Sequence, residues 1–247
     1  MGGAMARGLA GSHRVLAFDP HAVLPEGVTR IERLCEIGSA PDLTIVIAVK
    51  PQGFEAVAEE LAMLARPGRM IVSIMAGITL DRLSGALGTQ AVIVRAMPNL
   101  PAAIGQGISA AVSGPGMTSG QRRRASAILA AVGDVVWLSR EADMDAVTAL
   151  SGSGPAYLLR FVEALAAAGG AAGLDADIAM RLARQTFIGT AGLVQADAAA
   201  RIADLRGQVT SPGGTTAAGL QAMEREIDNL ANAAIRAAVA RSRDLAS

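Results

Sequence analysis

Short hydrophobic runs alternate with helix-length segments over the first part of the chain. Runs rich in Val and Ile predict strands at 15–19, 43–49, 70–75, 91–96, 107–113 and 134–138. Helix-length segments lie between them at 53–65, 79–87 and 118–131, the last opening with Thr118 and Gln121 at capping-box spacing. Several runs are apolar at nearly every position, which is typical of strands covered on both faces. The pattern predicts β-α-β units around a parallel sheet, which is the α/β class.

The strand pattern ends near residue 142, and Ala-rich segments with apolar residues at helical spacing continue from there. Signals for helix ends in this part are Pro155 for a first turn, Gly173 for a stop, Asp175 or Asp177 for a cap, and Pro212, Gly213 and Gly214 for a break. We therefore predict an α/β domain over 1–142 and a domain of three or four helices over 143–247. Helices in so small a domain would expose apolar surface in a monomer, which predicts a partner subunit.

Composition and charge narrow the class of partner. The chain has 22 basic and 22 acidic side chains, so no net field favours nucleic acid or an anionic membrane. No apolar run approaches the roughly 20 residues that cross a bilayer, and the first eleven residues lack the pattern of a secretory signal. Cys35 is the only cysteine, so neither an internal disulfide nor a cysteine-built zinc site is expected, and no metal site is predicted. We expect a cytoplasmic protein that acts on a small neutral or acidic metabolite.

The first residues look like the helix that follows a glycine-rich dinucleotide loop. Of the three glycines of a GxGxxG turn only the third, at Gly2, is present, and the strand that would precede the turn is missing. A Gly-Gly end by itself is more typical of a flexible terminus. Asp19, 17 residues after Gly2, stands near the position of a ribose-binding acid, where it would slightly favour NADH by repelling a 2′-phosphate. The alternative is that Asp19 only caps a turn before Pro20.

Two polar segments follow buried strands, at the edge where open α/β sheets bind their ligands. Lys50 could face cofactor phosphates, although a lysine after a strand is more often simply solvated. Asn99 could orient a nicotinamide or a substrate, or could belong to an ordinary turn. The candidate cofactor-binding residues are Met1, Gly2, Asp19, Ala48, Val49, Lys50, Pro51, Met97, Pro98 and Asn99.

Two glycine-rich turns in the helical part carry the strongest chemical signal. Residues 150–157 read Leu-Ser-Gly-Ser-Gly-Pro-Ala-Tyr, and residues 209–216 read Val-Thr-Ser-Pro-Gly-Gly-Thr-Thr. Each precedes a predicted helix, whose unpaired N–H groups can hold a carboxylate without any arginine. Ser211, Thr215 and Thr216 add hydroxyl groups that could donate to the same anion or to a ring nitrogen beside it. From the residues alone, a capped turn between two helices stays open for each motif.

Taken together, these motifs resemble the pyrroline-5-carboxylate reductase family. The run from Thr210 to Leu220 closely matches the family signature, and the resemblance covers nearly the whole chain. It implies a Rossmann-like N-terminal domain followed by an all-α domain that forms a homodimer, with a larger ring such as a decamer left open. It also implies that the chain uses NADPH or NADH to reduce 1-pyrroline-5-carboxylate, a cyclic imino acid, to L-proline in the last step of proline biosynthesis.

The same resemblance assigns roles to individual residues. The segments at 48–51 and 97–99 contact the cofactor, the loop at 211–216 holds the substrate carboxylate, and Thr216 bonds the ring nitrogen and is the catalytic candidate. The implied substrate-binding residues are Ser211, Gly213, Gly214, Thr215, Thr216, Ser151 and Gly152. Because the cofactor performs the difficult step, no histidine base is required, and His13 and His21 are not expected to be catalytic.

Other functions are weaker fits. The incomplete glycine loop predicts weak cofactor binding and leaves open a catalytically impaired, reductase-like oligomeric scaffold. A serine hydrolase using Ser151 or Ser153 would lack the GxSxG spacing and a well-placed histidine. A related β-hydroxy acid dehydrogenase would carry a lysine in its helical part, whereas no lysine follows Lys50. The choice between NADH and NADPH stays open.

Overall fold

The computed structural model describes residues 1–38 and 43–246, apart from the side chains of residues 225 and 246. Its strands are β1 Val15–Ala17, β2 Val28–Arg30, β3 Thr44–Ile47, β4 Met70–Ser73, β5 Val92–Pro98, β6 Gly107–Ser113 and β7 Gly133–Trp137. Its helices are α1 Gly2–Ala10, α2 Glu55–Leu64, α3 Leu80–Leu87, α4 Ser119–Ala130, α5 Met144–Val147, α6 Gly154–Ala171, α7 Ala176–Ala196, α8 Ile202–Gln208 and α9 Thr215–Ala246.

The chain forms two compact units. The first contains residues 1–153 together with the end of α9 from residue 238, and the second contains residues 154–237. The predicted boundary between an α/β domain over 1–142 and a helical domain over 143–247 stays a prediction. The α/β class with a helical C-terminal part is confirmed.

The strands of the first unit form two sheets. β1 pairs in parallel with β2, and the other five strands form a sheet of order β3-β4-β5-β6-β7. The described residues form no ladder between the two sheets. The strand β2 was not predicted, because three residues with only one apolar side chain give no hydrophobic run.

The larger sheet is parallel except at one pair. β5 runs antiparallel to β6, with Ala96 opposite Ala111, whereas β3-β4-β5 and β6-β7 are parallel. The connection at 99–106 is shorter than the dozen or so residues that a parallel crossover needs, so β6 has to return in the opposite direction. The prediction of a parallel sheet is therefore confirmed with one exception.

Both faces of the larger sheet are covered by helices. Met70 and Val72 of β4 belong to a core shared with α1 and α4, whereas Ile71 between them belongs to a core shared with α2 and α3. All three side chains are fully buried. Alternation along a strand sends successive side chains to opposite faces, and both faces are apolar here. This layered packing fixes the end of each strand, where the candidate site residues lie.

Two predicted helix starts are confirmed by their caps. The Thr118 hydroxyl accepts from the Gln121 N–H at 3.2 Å, and the Gln121 side-chain oxygen accepts from the Thr118 N–H at 2.8 Å, which makes the capping box at α4. Asp175 Oδ1 accepts from the N–H groups of Asp177 and Ile178 at 3.0 and 3.2 Å and caps α7. Caps of this kind stabilise a helix by about 1 kcal/mol each.

The second unit consists of helices that pack through small residues. Gly169 of α6 faces Ala179 of α7 so closely that a Cβ on Gly169 would lie 3.4 Å from the Ala179 Cβ. Gly173 turns the chain between them with a φ of 103°, a conformation that favours glycine. Many large apolar side chains of these helices are exposed, among them Leu158, Leu159, Phe161, Leu165, Ile178, Leu182, Ile188, Leu193 and Leu230. Within the described ranges, no helix combines the length and the hydrophobicity that a membrane span requires.

Candidate active site

The N-terminus of α1 lies against the segment that follows β3. A Cβ on Gly2 would come within 2.9 Å of the Ala48 Cβ, closer than such atoms approach in proteins. Met5, which is 1% exposed, anchors α1 on the sheet, and the Met1 carbonyl accepts from the N–H groups of Ala4 and Met5 at 2.9 and 3.1 Å. Glycine is therefore needed at position 2 for the helix to approach the strand end, so Gly2 and Ala48, both candidate cofactor-binding residues, are neighbours.

The residues after β3 leave the buried sheet for solvent. Ala48, Val49 and Lys50 are exposed, and Pro51 begins a 3₁₀ turn in which the Gly53 N–H donates to the Lys50 carbonyl at 2.8 Å. Phe54, with no exposed surface, fixes the other end of that turn in the core. The segment thus presents an exposed backbone and one ammonium group beside the first turn of α1.

Asp19 follows β1 as an exposed residue that caps its own turn. Its Oδ1 accepts from the N–H groups of His21 and Ala22 at 3.0 and 2.9 Å. These two backbone hydrogen bonds, the first being the larger cause, lower the pKa of the Asp19 carboxyl from its ordinary value. The capping interpretation of Asp19 is therefore correct as far as it goes, and the remaining oxygen leaves room for a ribose contact.

Arg30, which the sequence analysis missed, braces that turn. Its guanidinium donates to the carbonyl oxygens of Asp19 and Ala22 from the end of β2. A single arginine at the end of a three-residue strand gives no signal in the sequence, because its partners are backbone atoms. The brace fixes the position of the Asp19 carboxylate relative to β1.

The second polar segment leaves β5 and is held by β6. Pro98 is buried and pairs with Ser109, and the Asn99 side-chain oxygen accepts from the Ile108 N–H at 3.0 Å. That oxygen is therefore used to fix the loop, whereas the Asn99 amide nitrogen remains available to a ligand. Donation to a nicotinamide or a substrate is thus compatible with the position of Asn99.

Met97 brings the end of β5 next to the first glycine-rich motif. A Cβ on Gly152 would lie 3.0 Å from the Met97 Cε, so only glycine fits there without movement of the methionine. Ser151 and Gly152 end a π-helical turn, Thr148–Gly152, that continues α5, and both are half-buried. Turns of this kind are rare and occur frequently at functional sites.

The second glycine-rich motif lies in the second unit, at the start of α9. The Gly214 N–H donates to the Ser211 carbonyl at 3.0 Å, and Gly213 has a φ of 70°, so the chain turns tightly before the helix. The Ala218 N–H donates to the Gly214 carbonyl at 3.1 Å and begins the helical ladder. The N–H groups of residues 215–217 belong to the first turn of α9, where helical N–H groups have no partner within the helix, and Thr215 and Thr216 of the same turn are exposed, a suitable arrangement for a carboxylate.

Position 214 of this loop also requires a residue without a side chain. A Cβ on Gly214 would lie 2.5 Å from the Ser211 Oγ and 3.2 Å from the Ser211 carbonyl oxygen. The Ser211 hydroxyl therefore lies close to the Gly214 backbone, just before the start of α9. Ser211, Gly213, Thr215 and Thr216 are all exposed.

The residues of the first unit fit a dinucleotide. The positive end of α1 beside Ala48 suits a pyrophosphate, and the exposed Asp19 carboxylate after β1 suits a ribose hydroxyl. Among residues 1–38 and 43–246, no group of three or more His, Cys, Asp or Glu side chains is arranged to hold a metal ion. The first turn of α1, Ala48 and Asp19 together suit a bound dinucleotide.

Known proteins share both the sequence and the fold. A family model described as pyrroline-5-carboxylate reductase dimerisation matches residues 141–245. The chain is 41% identical to the pyrroline-5-carboxylate reductase of Pseudomonas aeruginosa over 203 residues, which are 82% of this chain and 74% of that protein.

Two solved structures cover the whole chain. A pyrroline-5-carboxylate reductase from Coxiella burnetii is similar with a TM-score of 0.90 at 32% identity, over 100% of this chain and 96% of that one. The pyrroline carboxylate reductase of Plasmodium falciparum, solved with NADP bound, is similar with a TM-score of 0.81 at 28% identity, over 100% of this chain and 95% of that one. The similarity therefore extends through both units.

Proposed function

The chain belongs to the pyrroline-5-carboxylate reductase family, and on that premise we propose that it reduces 1-pyrroline-5-carboxylate to L-proline with NADPH or NADH. The observation that carries the proposal is the Ser211–Thr216 loop, a tight glycine turn with three hydroxyls at the start of α9, in a chain 41% identical to a reductase of this name. The identity over most of the chain does not favour the alternative of an impaired scaffold.

The first unit supplies residues for the nucleotide. We assign the pyrophosphate to the first turn of α1 at Met1 and Gly2, and the adenosine ribose to Asp19. The rest of the dinucleotide is assigned to the segments 48–51 and 97–99. When bound, the reduced nicotinamide supplies the hydride that the imine carbon accepts. Lys50 contributes positive charge near the phosphates, and the Asn99 amide nitrogen donates a hydrogen bond that orients a neighbouring carbonyl group.

The Ser211–Thr216 loop binds the substrate carboxylate. The N–H groups at the start of α9 and the Ser211 and Thr215 hydroxyls donate to its two oxygens, and the helix dipole favours the negative charge. Ser151 and Gly152 complete the substrate contacts. Fixing the acid in this way orients the ring, and a well-oriented imine reacts faster because less entropy is lost on the way to the transition state.

Thr216 acts at the ring nitrogen. As the C=N bond becomes a C–N single bond, the nitrogen gains an electron pair and needs a proton. The Thr216 hydroxyl can hold the nitrogen through a hydrogen bond and relay that proton from solvent. The loop is exposed, so water can restore the proton to the hydroxyl after each turnover.

The C-terminal region joins subunits. The match to the dimerisation family over residues 141–245 assigns assembly to this region, and the exposed apolar side chains of α6 and α7 agree with a covered surface. We propose a homodimer as the unit of assembly, which light scattering on the purified protein would measure directly. A larger ring such as a decamer, and a cytoplasmic location, stay predictions from the sequence.

One assay tests the reaction. Purified protein is mixed with pyrroline-5-carboxylate and with NADH or NADPH in turn, and loss of the reduced nicotinamide absorbance is followed together with formation of proline. We expect stoichiometric oxidation of cofactor and appearance of proline. Cofactor oxidation without proline, or no oxidation with either nucleotide, would contradict the proposed function.

A further inference from the structure

The last turns of α9 are fastened to Asp145 on α5. The Ser242 hydroxyl donates to Asp145 Oδ1 at 2.7 Å, and Arg243 Nε lies 3.6 Å from Oδ2. The Asp145 side chain is 23% exposed, whereas that of Arg243 is 71% exposed. The ion pair is therefore largely screened by solvent, and the charge-assisted hydrogen bond from Ser242 is the stronger of the two contacts.

A second contact fixes the same end of α9 to the loop after β4. The Leu245 carbonyl oxygen lies 3.3 Å from the point where a Cβ on Gly77 would stand. Gly77 has a φ of 75°, which favours glycine in any case. The end of α9, itself part of the first unit, thus contacts two other segments of that unit, the loop at Gly77 and α5 at Asp145.

Asp145 is connected to the candidate site by continuous helix. α5 passes directly into the π-helical turn Thr148–Gly152, where the Thr148 hydroxyl donates to the Met144 carbonyl at 2.9 Å. Met144 is 1% exposed and Ala149 is fully buried, so both ends of this short segment are anchored in the core. Asp145 therefore lies on the same continuous, core-anchored segment as Ser151 and Gly152, so a contact that holds Asp145 also helps to hold them.

We propose that the end of α9 positions the π-helical turn for substrate binding, with Asp145 and Ser242 as positioning residues. The proposal rests on the proposed function, because Ser151 and Gly152 serve as substrate contacts only in that reaction. Neither Asp145 nor Ser242 needs to touch the substrate. The π-helical turn lacks the regular hydrogen bonds of an α-helix. The contact from α9 holds α5, which directly precedes that turn, in place.

Kinetics on four variants test the proposal. Ser242→Ala and Asp145→Ala remove the contact, Ser242→Thr keeps the hydroxyl, and Arg241→Ala is the control on the neighbouring exposed residue of α9. For the first two we expect the KM for pyrroline-5-carboxylate to rise about three- to tenfold, as for loss of one hydrogen bond. The Kd for the nicotinamide nucleotide should stay within about twofold of the original, since such a change is below 0.5 kcal/mol. Ser242→Thr should restore the KM, and Arg241→Ala should not change it.

Amide hydrogen exchange gives a readout that does not depend on turnover. In Ser242→Ala, the amides of residues 148–152 should exchange faster, while those of β4 and β5 keep their protection. Unchanged KM and unchanged exchange at 148–152 would overturn the proposal. The proposal would also be overturned if Ser242→Ala weakened binding of pyrroline-5-carboxylate and of the nucleotide equally and lowered the melting temperature, because that pattern indicates a general structural role. If the unaltered protein reduces no imine, the proposed function fails, and exchange at 148–152 still decides whether α9 orders the turn.

Discussion

The Arg95 guanidinium donates to the Glu141 carboxylate at 2.7 Å, and the same oxygen of Glu141 accepts from the Leu80 N–H at 2.8 Å. The Arg95 side chain on β5 is 7% exposed and that of Glu141 is 27% exposed. One acceptor thereby satisfies a buried cation and the first amide of α3. Removing only one partner of a buried ion pair is strongly destabilising, because the remaining charge cannot be solvated by water.

Glu141→Ala should lower the free energy of unfolding by about 2 to 4 kcal/mol, since it leaves Arg95 buried without its partner. Urea denaturation at fixed protein concentration measures the change. The control is Glu55→Ala, which breaks the solvent-exposed pair of Glu55 with Arg82 and should cost no more than about 0.5 kcal/mol. Equal effects of the two substitutions would show that burial does not determine the strength of the Arg95 pair.

Gly2→Val should weaken binding of the reduced nicotinamide nucleotide by about tenfold or more, a loss near 1.4 kcal/mol. The added side chain would begin 2.9 Å from the Ala48 Cβ, so the first turn of α1 would have to move away from the end of β3. Nucleotide fluorescence in a titration measures the Kd.

Gly3→Ala is the matched control for that variant. No atom lies within 4 Å of the place where its Cβ would stand, and alanine favours a helix over glycine by roughly 1 kcal/mol. We expect unchanged or slightly tighter binding. Equal weakening by Gly2→Val and Gly3→Ala would mean that the approach of α1 to Ala48 has no part in nucleotide binding.

Thr216→Ala should lower kcat about tenfold or more, because the hydrogen bond to the ring nitrogen contributes about 1.5 kcal/mol in the transition state. Steady-state kinetics with saturating cofactor measure the effect, and Thr216→Ser, which keeps the hydroxyl, should retain most of the activity. Because Thr216 is exposed, circular dichroism and melting temperature should not change. Unchanged kinetics in Thr216→Ala would remove this residue from the mechanism.

Features with a local cause were predicted from the sequence. β4 is apolar at all but one of its positions and buried throughout, and the capping box at Thr118 and the glycine stop at Gly173 depend on neighbours a few residues apart. The same holds for the Ser211–Thr216 loop, whose turn is made by its own glycines. Such contacts leave a pattern in the chain because the residues that make them are adjacent.

Contacts between distant parts of the chain left no such pattern. Ser242 and Asp145 are separated by 97 residues, and Arg30 reaches backbone atoms of the Asp19 turn rather than a side chain of opposite charge. The antiparallel direction of β6 also escaped prediction, because it depends on the length of a loop rather than on the residues of the strand. Features of this kind can be identified only when the packing of the helices on the sheet is known.

Asp19 should set the choice between NADH and NADPH. Its Oδ1 caps the turn through the His21 and Ala22 N–H groups, so Asp19→Asn keeps an oxygen in the same place and removes only the charge. We expect this variant to shift the ratio of the two dissociation constants toward NADPH by about tenfold, because a repulsive charge some 4 Å away in surroundings close to bulk water costs about 1 kcal/mol for each charge on the 2′-phosphate. The control is Asp134→Asn, which alters an exposed acid on β7.

The pH dependence of the preference for NADH distinguishes protonation of Asp19 from protonation of the 2′-phosphate. Because the pKa of Asp19 lies below its ordinary value, its carboxylate is ionised at neutral pH and stays so as the pH falls toward 5. A 2′-phosphate takes up a proton near pH 6, so the preference for NADH should be constant from pH 7 to pH 9 and should weaken only below about pH 6. Fluorescence titrations with both nucleotides across this range measure the ratio. A ratio unaffected by Asp19→Asn at every pH would leave Asp19 with the turn as its sole role, because the charge would then lie too far from the ribose to be felt.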